Sequence, residues 1–550
     1  PKFVPERYGQ EELLNALKNS EKGILFGNLI GTGARCQLDV EERMKMFDET
    51  EETAKKQVKK GGRPNASCSG ILQAAIEGQR RPYQGEWSVT SFLRWAIALG
   101  LVKYDYQTDN CTITELGKQL NNTEDGSEEE NEIFSKALSH YPPVVRVLDL
   151  IYKANQSLTK FEIGSQLGFI GEGGFSSVPQ EMFVLEYNQI NDTKKRNEFK
   201  TNVEGSSDKY ARMIAHWLMN FGYIEETKKK VQATKEELIY EVELAAFNIT
   251  YEGRKFLMKC RGNNSEKIVH YEMLATKGAD RDYFRKRRAI IITELCKKAL
   301  SLEELQLILK KEKMEETTNT ILDDIKGLQG IGIYSTFSNK KYKIPQKIKE
   351  LTIPTTNVEK TDVSQIKDRV REKLIAVDHK YLTLIDYAYT PSENRNFEFL
   401  TADLLTKELN YKGLRLGDVR KPDNIIYYKD KGVIIDNKAY GSGYSLPQSQ
   451  ADEMIRYIQE NQQRSSEVNP NEWWLNFDKD VNKYYYLFIS SYFINTFETR
   501  LEYIKNRTGV DGGAIDVENL LYFAENLKTE CMRYIDSFEI YRNKEIQIKI

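Results

Sequence analysis

The chain has 550 residues, of which 40% are apolar and 29% are charged, and its formal net charge is −2. This length indicates several domains. The near-neutral net charge shows that the chain is not basic throughout, as many nucleic-acid-binding proteins are. No apolar run approaches the roughly 20 residues that cross a bilayer, the first residues lack a signal-peptide core, and the six cysteines show no C-x-x-C spacing. We therefore expect a cytoplasmic protein with reduced thiols, without structural zinc and without a membrane partner.

One order of elements recurs three times: a helix ended by glycine, a strand, a polar turn and a second strand. The copies cover residues 91–120, 208–258 and 287–350, and the second carries the lysine run 228–230 as an insertion between its strands. This order is typical of the winged helix, a helix-turn-helix variant that usually binds DNA and also docks proteins. The predicted recognition segment of the third copy has few basic residues, so we expect this copy to be a docking unit.

Basic residues are concentrated in four clusters despite the near-neutral total. These clusters cover residues 55–63, 79–81, 228–230 and 281–288. A cluster taken alone usually marks a solvated face, but several clusters inside similar helical units favour contact with nucleic acid.

The second copy carries residues that suit DNA at the predicted start of its recognition helix. We place Glu204, Ser206 and Ser207 at this start, where free backbone N–H groups can bond a phosphate. Lys209 and Arg212 would extend from the first turns into a groove, where a lysine or arginine can bond guanine and a glutamate can accept from cytosine. Helix capping is the structural alternative, and it is compatible with DNA contact.

A hairpin with apolar strands is predicted near the carboxyl end. Its strands are residues 424–428 and 433–436, joined by a polar turn. In the register that we expect, Asp423 lies across from Lys438.

Asp423, Asp436 and Lys438 share one face of this hairpin, because side chains alternate along a strand. Two close carboxylates repel each other unless a cation lies between them, and Mg²⁺ prefers such oxygen ligands. The ammonium beside them could orient a water or stabilise negative charge. The pattern P-D, followed thirteen residues later by D-x-K, is that of the PD-(D/E)xK nucleases. A surface hairpin with an Asp–Lys ion pair is the structural alternative.

A further acid, Glu398, lies in an amphipathic helix predicted over residues 394–413. The buried side of this helix comprises the apolar residues Phe397, Leu400, Leu404, Leu405 and Leu409. Because acids are seldom buried without a partner, contact with a metal site or with Lys438 would explain Glu398. An exposed position in the first turn is the alternative.

Long strings of the chain carry a more specific signal. They include SFLRWAIALG at 91–100, EGSSDKYARMI at 204–214, RKPD at 420–423, VIIDNKAY at 433–440 and SGYSLPQSQADEMIRY at 442–457. With these strings, the region from about Asp362 onwards resembles the cleavage domain of the FokI family of type IIS restriction endonucleases. The N-terminal two thirds resemble the recognition part of that family. The turn between the two active-site strands is shorter here, which leaves the strand pairing open.

The resemblance implies an α+β multidomain protein. Three winged-helix or helix-turn-helix subdomains would form the recognition region, followed by an α/β PD-(D/E)xK nuclease domain with a central mixed sheet. The expected boundaries are 1–140, 141–264 and 265–352 for the three subdomains, of which the third docks, 353–365 for a linker and 366–550 for the nuclease domain.

The same resemblance implies a Mg²⁺-dependent site-specific deoxyribonuclease that binds an asymmetric duplex site and cuts a fixed distance downstream. Asp423 and Asp436 would hold the metal, and Lys438 would be the catalytic lysine. The backbone carbonyl of Asn437 would be a further ligand; the family usually has threonine there, so its side chain is expected to matter little.

The resemblance also implies a transient homodimer of the nuclease domain. Asp452 and Arg456 would form reciprocal salt bridges across its two-fold axis, since their i, i+4 spacing places them on one helical face. An intrahelical pair is the alternative.

The resemblance to the FokI family is less complete at the positions that contact DNA bases. Positions that match DNA-contacting ones are Arg63, Gln79, Trp87, Glu204 and Lys209. Thr201 replaces an asparagine expected at a contact position, and the chain before about residue 60 departs strongly from the family. The exact target sequence and the cut positions therefore stay open.

Two other functions remain alternatives. One is a winged-helix DNA-binding protein with an inactive nuclease domain, and the other is a strand-specific nickase of the same fold. A restriction enzyme would act on double-stranded DNA in the cytoplasm, with a partner methyltransferase in the same system.

Overall fold

The structure is a computed structural model of the chain. It describes most residues from 93 to 549, and before them 24–25, 44, 50–53 and 55. The gaps after residue 93 are 106–107, 109, 174–177, 207, 236–237, 262–265, 276–277, 350, 356–357 and 418–419. Within the described residues, no helix has the length and apolar character needed to span a membrane.

The chain divides into two compact units. The first comprises residues 1–145, 259–274 and 346–356, and the second comprises 146–258, 275–345 and 357–550.

The first unit contains the first winged-helix copy. Its elements are β1 (Ile24–Leu25), β2 (Val102–Asp105), β3 (Asn110–Ile113), α1 (Glu115–Asn121) and α2 (Glu128–His140). The strands form an antiparallel sheet in the order β1-β3-β2. A helix through residues 93–98 stops at Gly100, whose φ of +73° favours glycine because it has no Cβ. The predicted order of helix, glycine, strand, turn and strand is confirmed.

The second winged-helix copy has a longer hairpin than the sequence predicts. Its elements are α3 (Pro142–Ala154), β4 (Leu158–Thr159), α4 (Lys160–Gly164), α5 (Gln180–Gln189), α6 (Thr193–Ser206), α7 (Lys209–Asn220), β5 (Ile224–Lys235), β6 (Leu238–Ile249) and α8 (Tyr251–Arg261). The sheet order is β4-β6-β5, and β5 pairs with β6 along its whole length. Residues 228–230 lie within β5, so the prediction of an insertion there is wrong.

The third copy is a compact set of three helices and a short hairpin. Its elements are α9 (Arg281–Lys297), α10 (Leu302–Lys311), α11 (Thr318–Gly330), β7 (Thr336–Ser338) and β8 (Lys341–Lys343). Ser301 and Glu304 form a capping box that begins α10. This copy also follows the predicted order.

The C-terminal domain is built on a six-stranded sheet in the order β14-β13-β12-β11-β10-β9. Its elements are α12 (Asp362–Arg371), α13 (Thr383–Ala388), α14 (Asn394–Asp403), β9 (Lys412–Arg415), β10 (Asn424–Tyr428), β11 (Lys431–Lys438), α15 (Gln448–Gln463), β12 (Lys483–Ser490), α16 (Phe497–Thr508), β13 (Gly512–Asp516), α17 (Val517–Lys528) and β14 (Lys544–Glu545). Strands β9 to β11 are antiparallel and β11 to β14 are parallel, so the predicted mixed sheet is confirmed.

The sheet of the C-terminal domain separates two apolar cores. Ile426 and Ile435 belong to one core, and Ile425 and Ile434 belong to the other. This alternation follows from the two-residue period of a strand. It places even-numbered residues of β11 on the face covered by α15 and odd-numbered residues on the opposite face.

The predicted register of the β10–β11 hairpin is wrong by two residues. Asn424 pairs with Ile435, so the continued register places Asp423 across from Asp436 rather than Lys438. A two-residue turn joins the strands, and Lys429 in this turn has a φ of +55°. Because the shift is even, each side chain keeps its predicted face.

Two predicted elements are shorter than expected. The helix predicted over 394–413 ends at Asp403, and a π-helical turn over Leu404–Glu408 leads to β9. The predicted linker 353–365 is also shorter, because α12 already begins at Asp362.

The basic cluster at 281–288 contributes two buried arginines. Arg287 and Arg288 of α9 are 3% and 1% exposed. Arg287 pairs with Asp324 at 2.6 Å and with Glu316 at 3.1 Å. Arg288 pairs with Asp324 at 2.8 Å and also with Glu172 of the second copy. These two side chains are therefore neither a solvated face nor a DNA contact.

Further buried charges join the third copy to the C-terminal domain. Asp323 of α11 accepts from Arg371 Nε at 3.0 Å and lies 2.7 Å from His379 Nδ1. Asp280, which precedes α9, accepts from the backbone N–H of Thr361 at 2.7 Å. These contacts agree with a docking role for the third copy.

Helix α14 of the C-terminal domain packs against the second copy. Phe399 and Ala402 belong to the apolar core that includes Phe183 of α5. The guanidinium of Arg415 lies 4.3 Å from the ring centre of Phe399 and 3.0 Å from a carboxylate oxygen of Glu186 in α5. One helix thus contacts both the central sheet and the second copy.

Candidate active site

Asp423 and Asp436 meet at one end of the β10–β11 hairpin. Asp423 immediately precedes β10, and Asp436 lies near the end of β11 and is 4% exposed. The continued register places the two carboxyl groups across from each other on one face, and Asp423 Oδ2 accepts the N–H of Asn437 at 2.7 Å. Two acidic groups this close favour retention of a proton, because ionisation of one opposes ionisation of the other.

Lys438 completes the group on the same face of the sheet. Its Nζ lies 3.0 Å from Oδ1 and 2.9 Å from Oδ2 of Asp436. The structure therefore brings together Asp423, Asp436 and Lys438, as the alternation of side chains predicts. An exposed hairpin with a simple ion pair, the structural alternative, does not describe a site in which Asp436 is buried.

Desolvation dominates the electrostatics of the two carboxyl groups. It raises the pKa of Asp423 to about 6, and the nearby charge of Glu398 adds to this effect. Desolvation, followed by the charge of Asp423, also raises the pKa of Asp436 well above its ordinary value. The pair therefore retains a proton at pH values where an exposed aspartate is ionised.

The donor set suits a hard divalent cation. Two facing carboxylates with a single ammonium leave an excess of negative charge, and a cation can replace the proton that they retain. Among the described residues, no three His, Cys, Asp or Glu side chains are grouped so that they could hold a metal ion. A cation here would thus be bound by two carboxylates together with backbone or water oxygens, a ligand set typical of Mg²⁺.

We expect Mg²⁺ binding to strengthen with pH. The pKa of Asp423 is raised to about 6 and that of Asp436 well above its ordinary value, so below pH 6 two protons compete with the metal. Affinity should therefore rise by more than about tenfold per pH unit from pH 5 to pH 6 and continue to rise above pH 6. Calorimetric titration of the metal-free chain with Mg²⁺, without DNA, measures this slope. Carboxylates with ordinary pKa values would give affinities that level off near pH 5, and a flat profile from pH 5 to 7 would contradict the electrostatics described above.

Glu398 is buried, but its partner is not the predicted one. Its Oε1 accepts from Asn394 Nδ2 at 2.8 Å, and its Oε2 accepts from Arg415 Nε at 2.9 Å. The alternative of an exposed position is therefore wrong, and Glu398 makes no hydrogen bond to Lys438, although its charge acts on Asp423. A contact of Glu398 with a metal site stays a prediction. The sequence offers no signal for Arg415 as a partner, because the two residues belong to different elements that meet only in the fold.

The side chain of Asn437 also has a structural role that the sequence does not reveal. It is fully buried on the face opposite Asp436, where its Oδ1 accepts from Asn424 Nδ2 at 2.8 Å. Its Nδ2 donates to Thr401 Oγ1 of α14 at 2.9 Å. These bonds tie α14 to both strands of the hairpin, and the expectation that a change of this side chain matters little stays a prediction.

The predicted base-reading residues of the first copy cannot be placed. Arg63, Gln79 and Trp87 lie outside the described residues. Most of the clusters 55–63 and 79–81 lie there too. These assignments stay predictions.

The predicted helix start at 204–207 is wrong. Glu204 lies in the last turn of α6, which ends at Ser206, and α7 begins at Lys209. Thr201 is exposed on α6, one turn before Glu204. Arg212 Nη1 donates to the carbonyl oxygen of Glu204 at 3.4 Å, so this arginine also links the two helices.

The lysine run of β5 is paired with acids. Lys228 and Lys230 lie 3.1 Å and 3.2 Å from Glu243 and Glu241 on the adjacent strand. Lys229, between them, is paired with an acid of α4 at 2.8 Å. This pattern favours a structural role for the run over a free basic surface.

Asp452 and Arg456 of α15 have separate partners. Asp452 is exposed, and its Oδ1 accepts from Gln448 Nε2 at 2.9 Å and from the Tyr503 hydroxyl at 3.2 Å. Arg456 Nη2 donates to Glu453 at 2.8 Å. The intrahelical pair, which the sequence leaves open as an alternative, is not the arrangement found.

Comparison with known families gives four matches along the chain. The matched models are FokI recognition domain subdomain 1 over 1–123, FokI recognition domain subdomain 2 over 130–265, the FokI D3 domain over 274–340 and the FokI cleavage domain over 360–547. The last of these contains the site of Asp423, Asp436 and Lys438.

Two relatives and two solved structures extend this match. The chain is 36% identical over 567 residues to the type II restriction enzyme FokI of Planomicrobium okeanokoites, covering 99% of this chain and 92% of FokI. It is 30% identical over 495 residues to the type II restriction enzyme StsI of Streptococcus sanguinis, covering 86% of this chain and 82% of StsI. Structures of FokI and of FokI bound to DNA each match with a TM-score of 0.87 at 35% identity, covering 100% of this chain and 93% of theirs. The chain therefore belongs to the FokI family of type II restriction enzymes and is a FokI-type restriction endonuclease.

Proposed function

We propose that the chain is a type IIS endonuclease that binds an asymmetric duplex site and cuts DNA a fixed distance away, with Mg²⁺ at Asp423 and Asp436. The observation that carries this proposal is the pairing of Asp423 and Asp436 on one face of the sheet, with Lys438 Nζ 3.0 Å from Asp436 Oδ1. The match to a structure of FokI bound to DNA supports duplex DNA as the substrate.

The residues of the site have distinct roles in this mechanism. Asp423, Asp436 and the backbone carbonyl of Asn437 would hold Mg²⁺, which when bound supplies a water of lowered pKa and stabilises charge on the phosphate. Lys438 is held in place by Asp436, and its remaining N–H donors can orient the attacking water. Burial of Asp436 strengthens each of these electrostatic contacts.

The match of each part of the chain to a FokI domain supports a division of roles among the domains. Residues 1–140 and 141–264 would read DNA, with Thr201, Glu204 and Lys209 among the contacts of the second subdomain. Residues 265–352 would hold the nuclease domain, 366–550, in a docked position that DNA binding releases. A sequence-specific nuclease would also cut the genome of its cell, so a methyltransferase of matching specificity is the expected partner in the cytoplasm.

Digestion of DNA by the purified chain tests the function. With Mg²⁺ and duplex DNA we expect discrete double-strand breaks, and run-off sequencing should place each break at a constant distance from one short sequence. Chelation of Mg²⁺ should stop cutting. Specific binding without any cutting would favour the inactive-nuclease alternative, and nicked product alone would favour the nickase.

Replacement of Asp452 tests the transient homodimer. In Asp452→Ala, two reciprocal salt bridges would be lost at about 1 kcal/mol each, which lowers the dimer population roughly 30-fold. Nicked plasmid should then accumulate at low enzyme concentration while DNA affinity stays unchanged. Glu467→Ala, which removes an exposed acid of the same domain, is the matched control. Undiminished double-strand cutting by dilute Asp452→Ala would count against this dimer.

A further inference from the structure

Tyr444 lies in the segment between β11 and α15, and both its backbone and its ring are held firmly. Its N–H donates to the Tyr492 carbonyl at 2.9 Å, and its carbonyl accepts from Ile494 N–H at 3.1 Å. The ring centre lies 5.1 Å from that of Tyr440 and 6.1 Å from that of Phe493. The position of the phenol is therefore fixed by the fold.

The hydroxyl of Tyr444 makes no hydrogen bond to any described residue, although the residue is only 2% exposed. Leaving such a group unsatisfied costs about 1–3 kcal/mol, and a phenylalanine of nearly the same shape would avoid that cost. Buried polar groups without partners are rare in native proteins, and those that occur often serve catalysis or bond an ordered water. We therefore expect this hydroxyl to bond a group other than the described residues, such as an ordered water.

The surroundings of this hydroxyl are those of the cleavage site. Tyr444 belongs to the same apolar core as Ile434, on the face of the sheet where Asp436 is the next residue of β11. Burial raises the pKa of Tyr444, and the negative charge of Asp436 raises it further. The phenol thus stays protonated at neutral pH and can donate a hydrogen bond. Because no described residue offers an acceptor within bonding distance, a water between the hydroxyl and Asp436 can accept this hydrogen bond.

We propose that Tyr444 is a positioning residue of the cleavage site, whose hydroxyl donates to a water that in turn bonds the carboxylate of Asp436. This bond would orient Asp436 towards the metal, as outer-sphere partners of metal ligands do. The inference rests on the proposed function, because it assigns Tyr444 to act through a metal ligand. It adds a residue to the site that the D-x-K pattern does not contain.

The isosteric variant Tyr444→Phe tests this inference. Partners of this kind contribute about 10- to 100-fold to metal affinity or activity. We therefore expect weaker Mg²⁺ binding by calorimetry and a roughly 10- to 100-fold slower single-turnover cleavage of saturating DNA. DNA affinity without metal should not change. The Tm of the metal-free chain should stay the same or rise, since the hydroxyl that is removed has no protein partner.

Tyr486→Phe is the matched control. Tyr486 is a buried phenol of the same apolar core, but its hydroxyl donates to the Leu501 carbonyl at 3.0 Å. Its loss should lower the Tm and leave Mg²⁺ affinity unchanged.

Three results would overturn the role of Tyr444. The first is a Tyr444→Phe chain with wild-type rate and Mg²⁺ affinity. The second is a slower rate with unchanged Mg²⁺ affinity, since the residue would then not act through Asp436. The third is a loss of activity that merely follows a lower Tm. Failure of the proposed function looks different, because the wild-type chain itself would then neither bind Mg²⁺ nor cut DNA.

Discussion

Asp436→Asn should reduce DNA cleavage by a factor on the order of 10³ or more while leaving specific DNA binding intact. The asparagine keeps the volume of the side chain but removes the charge that holds Lys438 Nζ and that, in the proposed mechanism, would bind Mg²⁺. Cleavage of a plasmid under single-turnover conditions and a mobility-shift titration measure the two properties separately. A variant that binds and still cuts at the wild-type rate would remove this site from the mechanism.

Thermal unfolding provides a second readout of the same variant. In the wild type, Mg²⁺ at about 100 times its dissociation constant should stabilise the fold by about 2.7 kcal/mol. In Asp436→Asn this stabilisation should disappear, and the metal-free Tm of the variant is the reference, because loss of the Lys438 ion pair and relief of repulsion with Asp423 act in opposite directions. Asp430→Asn is the control, since Asp430 is an exposed acid in the turn of the same hairpin. It should keep both the cleavage and the Mg²⁺ effect.

Asp323→Ala should release the nuclease domain from the third subdomain. This change removes the carboxylate that the buried Arg371 and the half-buried His379 share, and Arg371 keeps Asp368 as a second partner. Breaking a buried ion pair typically costs about 3–5 kcal/mol, so the docking equilibrium should shift by more than about a hundredfold. We expect faster nicking of plasmids that lack the recognition sequence, and easier proteolysis of the segment at 353–361.

Asp282→Ala is the control for this second prediction. Asp282 pairs with Arg285 at 2.9 Å on the exposed side of α9, where such pairs contribute about 0–1 kcal/mol. Its loss should leave nicking and proteolysis unchanged. Equal behaviour of the two variants would show that the buried contacts of Asp323 do not hold the nuclease domain.

The face on which Asp423, Asp436 and Lys438 lie could be predicted from the sequence, whereas the pairing of the two strands could not. Alternation along β11 places Asp436 and Lys438 on one face in any register. The register depends on the turn. Lys429 adopts positive φ in this turn, at a position where two-residue turns usually have asparagine or glycine. The usual local signal for a two-residue turn is therefore missing.

The partners of the buried charges were also out of reach of sequence reasoning. The basic string that contains Arg287 and Arg288 has the composition of a DNA-binding surface, yet both residues pair with acids that lie far away in the chain. Glu398 was predicted to need a partner, but Arg415 could be found only from the fold. Local patterns predict elements and their faces, while partners from other elements depend on tertiary packing.

Helix α14 contacts both the central sheet and the second copy, and this affects the use of the nuclease domain in fusion proteins. A fusion that joins residues from α12 onwards to an unrelated targeting domain would lack the second copy, which covers Phe399. The ring of Phe399, beside Arg415, would then be exposed to solvent. Such a fusion protein would expose an apolar, aggregation-prone patch in the same domain as Asp423, Asp436 and Lys438. Replacement of Phe399 by a polar residue is the first change to consider for reducing this exposed apolar area in a fusion protein.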